Sequence, residues 1–254
     1  MLEPWEYKSN DDREIDSLPT YLIFCEDENS EPDYIKYFET PLIKINLIRG
    51  QKSMNDNLTR TIKYCLDNNI MKYIDSELTR INNDIIIWSV YDRDKNHQIE
   101  SYDNIYPSDI EFNTSIEKAE KYNINTAWSN DAFELWILLH FESIDTENFE
   151  VKSRDYYYNQ LTNIFKNVEN PEGNLSKIRE LFDTFSYKKD LKSKKNFSNI
   201  VIPHIIKQTK QAITRAKKID EYFNEKNLPL HMRVPSTQIY KLVEELIVVG
   251  KKEI

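Results

Sequence analysis

The sequence predicts an α/β protein: a mostly parallel sheet flanked by helices, followed by a C-terminal helical extension. Three observations carry that prediction. Short apolar runs, each about one strand long, recur through residues 1–142 with helically spaced segments between them, the alternation that builds parallel sheets with helices on both faces. The strongest run, residues 84–91, is apolar nearly throughout, as a strand covered on both faces must be. From about residue 150 onward the strand runs give way to polar segments with apolar residues at helical spacing.

Each element follows in order. Residues 1–19 are polar and acidic, with Pro4 and Pro19, and are expected to form a tail. The α/β core is expected over 20–145, and a helical region packed on it over 146–254. Residues 21–25 are the first strand, which stops at Glu26 and the polar stretch to Glu31. Pro32 suits the first turn of a helix whose apolar face is Tyr34, Ile35 and Phe38. Residues 43–48 are a second strand. The spacing of Leu58, Ile62, Cys65, Leu66, Tyr73, Ile74 and Leu78 predicts helix over 55–81. The strand 84–91 ends in Asp92-Arg93-Asp94. After a loop come a helix over 114–122 and a short strand over 125–128. Ser129, Asn130 and Asp131 form an N-cap cluster for an apolar helix over 132–141, with Phe133 and Trp136 in the core. Further on, Leu161, Ile164, Phe165 and Val168, then Ile178, Leu181, Phe182 and Phe185, mark helices. Residues 171–173 and 228–230 read as turns, and 236–249 is the last helix.

Glycine excludes the most. The chain has three, Gly50, Gly173 and Gly250. A P-loop and a dinucleotide fingerprint each need clustered glycines so that backbone can approach phosphate. Neither fits here, so phosphate must be handled by metal ions or by Lys and Arg. No apolar run approaches the roughly 18 residues of a membrane span, and the acidic start lacks the apolar stretch of a signal peptide. Cys25 and Cys65 are too few for a disulfide framework, so a reducing cytoplasm is the expected compartment. The net charge is −9. Residues 187–218 hold ten Lys or Arg against one acid, a net +9, which leaves −18 on the remainder. An acidic body with one basic segment either binds nucleic acid locally or carries a solvated helix face.

The chemistry sits where the strands end. Parallel sheets bind ligands at the carboxyl ends of their strands. Glu26 follows the first strand, Asp92 follows the third, and Asp94 lies two residues on. Carboxylates this close repel unless a cation joins them, and an all-oxygen set suits Mg²⁺ or Mn²⁺. The competing structural role is to cap turns and helices.

Three segments then resemble the RloB-like family, which is related to the Toprim domains of topoisomerases, primases and OLD-type nucleases. They are CEDENSEPDYIKYF (25–38), VYDRD (90–94) and SNDAFELWILLHF (129–141). The terminal PSTQIYKLVEEL (235–246) is also similar. The resemblance implies a Toprim-like core in which Glu26 acts as metal ligand or general acid/base and Asp92 and Asp94 bind metal. Glu31 and Glu134 fall where OLD-type relatives supply further carboxylates for a second ion, and Glu134 joins the catalytic set. In two-metal sites the ions lie about 3.5–4 Å apart, flanking the attacking and leaving oxygens. Lys188, Lys189 and Lys192 are candidates for contact with the substrate phosphate, and His140 and Asn130 are further candidates; His140 also reads as a hydrogen-bonded core histidine. Two departures from the family pattern stand out: Asp27 replaces a glycine, and Asp131-Ala132 replaces Pro-Cys. An acid at 27 repels phosphate unless it points away or becomes a ligand.

The function this implies is a metal-dependent nuclease, the effector of an anti-phage abortive-infection system whose ATPase partner, of SMC/ABC type, is encoded alongside. The missing P-loop agrees with hydrolysis by a partner. The substrate is DNA or RNA, tRNA included. No membrane is expected, and homo-oligomerisation stays open. The competing reading is a non-catalytic Toprim-like scaffold that docks on the ATPase. A primase- or topoisomerase-like activity is the weakest: no zinc module and no nucleophilic tyrosine domain stands out.

Overall fold

The computed structural model describes residues 18–52, 54–95, 104–147, 153–169, 171, 173–181 and 184–254. Residues 1–17 of the tail expected over 1–19, most of the loop after Asp94, and Phe182 lie outside the described residues. The described elements are β1 (Thr20–Cys25), α1 (Ser30–Lys36), β2 (Lys44–Ile48), α2 (Met54–Asp67), β3 (Met71–Ile74), β4 (Glu77–Arg80), β5 (Ile85–Asp92), α3 (Pro107–Lys121), β6 (Asn125–Asn130), α4 (Phe133–Leu139), α5 (Arg154–Lys166), α6 (Gly173–Leu181), α7 (Lys194–Asn196), α8 (Ile202–Ile205), α9 (Thr209–Glu225), β7 (Ser236–Thr237) and α10 (Ile239–Gly250). π-Helical turns over Tyr187–Leu191 and Phe197–Val201 flank α7.

The main sheet runs β2-β1-β5-β6-β7. β1 is apolar because it pairs in parallel on both edges, with Tyr21 opposite Ile45 of β2 and opposite Ile86 of β5. β6 joins β5 in parallel, and β7 closes the row antiparallel. Strand alternation splits β1 between two cores. Leu22 and Phe24 face α2 and α3, against Leu58, Cys65 and Ala119. Tyr21, Ile23 and Cys25 face the larger core, which runs without a break into the C-terminal helices through residues such as Leu161, Ile205, Ile219 and Val243. α4 is buried all round: none of its seven residues is more than 3% exposed. Such a helix is apolar on every side except where a polar group has a purpose. Glu134 is its one charge. Each of its large side chains removed from water contributes about 2–3 kcal/mol, so α4 is a rigid platform for that carboxylate.

Four sequence expectations need correction. Residues 55–81 are not one helix. α2 stops at Asp67, and β3 and β4 form an antiparallel hairpin, Met71 opposite Arg80. Asn69, Asp75 and Ser76 have φ of 55°, 50° and 67°, left-handed values that end the helix and make the turn. Ser129 and Asn130 belong to β6 rather than to an N-cap, and the cap of α4 is Ala132 in extended conformation. The helix expected from 114 begins at Pro107, where Asp109 accepts a hydrogen bond from Tyr106 N at 2.8 Å. The last helix starts at Ile239, because Ser236 and Thr237 pair with Asn130 and Ser129 as β7.

Candidate functional site

Parallel pairing in register puts the site together. Cys25 stands opposite Val90, so the chains leaving β1 and β5 stay side by side: Glu26 N donates to Val90 O at 3.0 Å. Glu26 Oε2 then accepts from Asp92 N at 2.9 Å. The Asp94 carboxyl stands close enough to act on the charge of Glu26. Asp94 takes a left-handed φ of 53°, which turns the chain back at the end of β5. Glu31, on α1, is buried and accepts from Asp27 N at 3.1 Å. Glu134, on α4, has a fully buried side chain, and Oε2 has no hydrogen-bond partner. Asp92 Oδ1 is likewise buried without one.

These acids perturb one another. Burial first, then the Asp94 charge, pushes the Glu26 carboxyl up from 4.5 to about 8. Burial raises Glu31 well above the carboxylate range, and Glu26 adds to it. Burial also raises Asp92, with contributions from Glu31, Glu26 and Glu134 against the lowering pull of Arg154. The fold therefore favours protonated Glu26. Its stabilising contribution is complete below the ordinary value of 4.5 and is lost as pH rises through about 8. The expected result is that, with chelator present, the denaturation midpoint falls as pH rises from about 5 to about 8, and that Glu26→Gln reduces this slope. Melts across that range check it, and an unchanged slope in the variant would contradict it.

Positive charge comes from the C-terminal half. Arg154, the first residue of α5, donates from Nη2 to Asp92 Oδ2 at 3.0 Å and from the same nitrogen to Asp94 Oδ1. Lys192 Nζ lies 2.8 Å from Glu134 Oε1 and donates to Tyr158 Oη at 3.3 Å. Burial alone would lower both basic groups. The charges of Asp92 and Asp94 on Arg154, and of Glu134 on Lys192, outweigh it, so both are raised. Lys188 sits 5.0 Å from the Tyr158 ring centre and 3.5 Å from Asp155, out in solvent. Lys189 is exposed. Of the three lysines singled out in the sequence, Lys192 is the one placed on a carboxylate of the cluster. Further along the basic segment, Lys210, Arg215 and Lys218 line an open hollow on α9.

Other candidates have different partners. His140 is buried, with Nδ1 2.9 Å from Trp136 O and Nε2 3.0 Å from Tyr34 Oη. Nδ1 must carry the proton to meet a carbonyl, so Nε2 accepts from the tyrosine. Burial lowers its pKa to about 4, and it is a neutral core histidine. The Asn130 side chain binds Arg93 Nη1, His231 O and Arg233 O. It ties β6 to the turn before β7, not to the carboxylates. Arg93 pairs with Asp109 inside the protein. Asp131 accepts from Lys95 N at 2.7 Å. Asp27 is turned onto the backbone of the next turn, accepting from Glu28 N, Asn29 N and Ser30 N. That explains how an acid is accommodated where the family pattern has glycine.

The donor set fits a hard dication: all oxygen, with buried Asp92 Oδ1 and Glu134 Oε2 lacking partners. Among the described residues, no three His, Cys, Asp or Glu side chains are gathered into one coordination group as they stand. Arg154 and Lys192 supply the facing positive charge instead. Sequence reading missed both Arg154 and Tyr158. Arg154 lies before the basic segment and 62 positions from Asp92, so no local pattern marks it.

An α/β protein with acids at the carboxyl ends of adjacent parallel strands and on α4, faced by Arg154 and Lys192, is the class that the fold and site define. Within that class, the chain belongs to the RloB-like protein family, whose model matches residues 21–246. No curated protein and no solved structure matches it. Among the described residues, no helix is long and apolar enough to cross a membrane.

Proposed function

We propose that the chain is a Mg²⁺- or Mn²⁺-dependent Toprim-type nuclease, the effector of an anti-phage abortive-infection system with an ATPase partner. The observation that supports it most is the convergence of Glu26, Asp92 and Asp94 at the ends of β1 and β5, with Glu134 presented from α4. Asp92, Asp94 and Glu134 would hold a divalent ion, with Glu31 available for a second. When bound, the ion supplies charge stabilisation at the phosphoryl oxygens. Glu26, pushed up to about 8, is suited to proton transfer near neutral pH, as general acid when protonated and as general base when ionised. Arg154 and Lys192, with Lys188 and Lys189 further out, are suited to orient backbone phosphate by charge-assisted hydrogen bonds.

The test is cleavage of DNA and RNA by the full chain, alone and with the ATPase, with Mn²⁺ or with EDTA. Cleavage that needs the ion and stops on chelation is expected. Intact substrate in every combination overturns the reading. A second reading, the non-catalytic scaffold, is favoured by one observation: Arg154 and Lys192 already neutralise part of the cluster. It expects defence to survive loss of the aspartates.

A further inference from the structure

We propose that Arg154 is an exchangeable counter-ion, held between Asp92 and Asp94 until a divalent cation takes its place, and drawn off by a nucleic-acid phosphate. The inference rests on the metal-dependent reading above and adds to it a coupling between ion and substrate.

The geometry is the first reason. Arginine–carboxylate pairs are frequently bidentate, the fork offering two parallel hydrogen bonds to one carboxylate. Here a single nitrogen, Nη2, bridges two carboxylates, Asp92 Oδ2 and Asp94 Oδ1. One positive centre shared by two acids is the arrangement of a bound ion. Asp92 Oδ1 stays buried without a partner, so the guanidinium leaves an acceptor of this cluster unmet. The fully buried Glu134, with Oε2 unpartnered, adds a second incomplete acceptor beside Asp92.

The charge balance is the second. Glu26, Glu31, Asp92, Asp94 and Glu134 act on one another electrostatically, and Arg154 and Lys192 are the basic groups paired with them. With the acids ionised, five negative charges face two positive ones, so replacing one positive charge by two improves the balance, and exchange is favourable if the arginine has somewhere to go. Its side chain is 31% exposed and so has a path to solvent.

Its position is the third. Arg154 opens α5. A positive charge in a first turn opposes the helix dipole, so the helix itself gains nothing from it. Phosphate is the natural acceptor for a displaced guanidinium. An ion and a phosphate should therefore bind cooperatively, each removing a competitor of the other.

The experiment is Mn²⁺ titration by electron paramagnetic resonance and calorimetry on the full chain, with and without a short single-stranded oligonucleotide carrying non-hydrolysable linkages. The parent is expected to bind Mn²⁺ weakly alone and about tenfold or more tightly with the oligonucleotide. Arg154→Gln is expected to bind Mn²⁺ about tenfold more tightly than the parent without nucleic acid, a gain matching one lost charge-assisted bond, and to lose most of the oligonucleotide effect. Arg154→Lys should lie between. Equal Mn²⁺ affinity in parent and both variants overturns the exchange and leaves the metal reading standing. No Mn²⁺ binding in any protein, with or without oligonucleotide, overturns both. If Arg154→Gln does not fold, the Lys variant and the oligonucleotide effect on the parent decide.

Discussion

The double substitution Asp92→Asn, Asp94→Asn is expected to lower nucleic-acid cleavage about a thousandfold or more while leaving the chain folded. An ion that stabilises a phosphoryl transition state contributes several kcal/mol, and each 1.36 kcal/mol is about a factor of ten in rate. Two carboxylates facing one guanidinium are the place to lose it. Asparagine has nearly the same shape and keeps an oxygen for Arg154 Nη2, so the local packing stays. Burial disfavours the charged form of Asp92, and neutralising it removes that cost. Loss of the charge attraction to Arg154 works the other way, so the net change in stability is expected within about 1 kcal/mol, as for a partly exposed pair. Initial cleavage rates with Mn²⁺, a melt, and gel filtration with the proposed ATPase partner check activity, stability and docking. Defence by the double variant at parental strength would make the acids structural and the chain a scaffold. Lost defence with an intact complex separates catalysis from docking.

How much of this was legible in the sequence depends on the reach of each signal. β1 and β5 announce themselves because strands covered on both faces must be apolar along their length. The proximity of Glu26 and Asp92 then follows from parallel register, Glu26 lying one residue beyond Cys25 and Asp92 two beyond its partner Val90. Glu134 is legible as the one charge in an otherwise apolar helix. Other features depend on tertiary context. Tyr73, Ile74 and Leu78 fit a helical period by coincidence, and three left-handed residues reveal the hairpin only in three dimensions. The sequence names Lys192 together with Lys188 and Lys189 but does not tell which of the three turns onto the cluster, because the first turn of that segment is π-helical. Lys192 N bonds Tyr187 O, five residues back, so an α-helical wheel misplaces its side chain. Arg154 has no local signal at all. It is defined by what α5 packs beside, at a separation no motif spans.

Lys192→Met is expected to lower stability by about 2–3 kcal/mol, and the double variant Glu134→Gln, Lys192→Met to recover most of it. The Glu134 side chain is fully buried and that of Lys192 is 27% exposed. Removing one partner of a buried pair strands the other charge in a low-dielectric site, at about 3–5 kcal/mol. Solvent around the lysine reduces that figure. For a chain of this size the melting point should fall by roughly 5–10 °C, at 2–4 °C per kcal/mol. Methionine keeps the lysine's apolar stem against Tyr158, so the loss reads charge rather than packing. Glutamine at 134 then has no charge to strand, and recovery follows. A four-member cycle of melts measures the coupling directly, and additive effects would mean that the pair is not formed in solution. The same proteins separate fold from chemistry. If Glu134 is an ion ligand, the double variant is folded and inactive, whereas the single Glu134→Gln variant also frees Lys192 and is inactive with little loss of stability. Activity retained in the stable double variant would remove Glu134 from the ligand set and leave Asp92 and Asp94 to hold the ion.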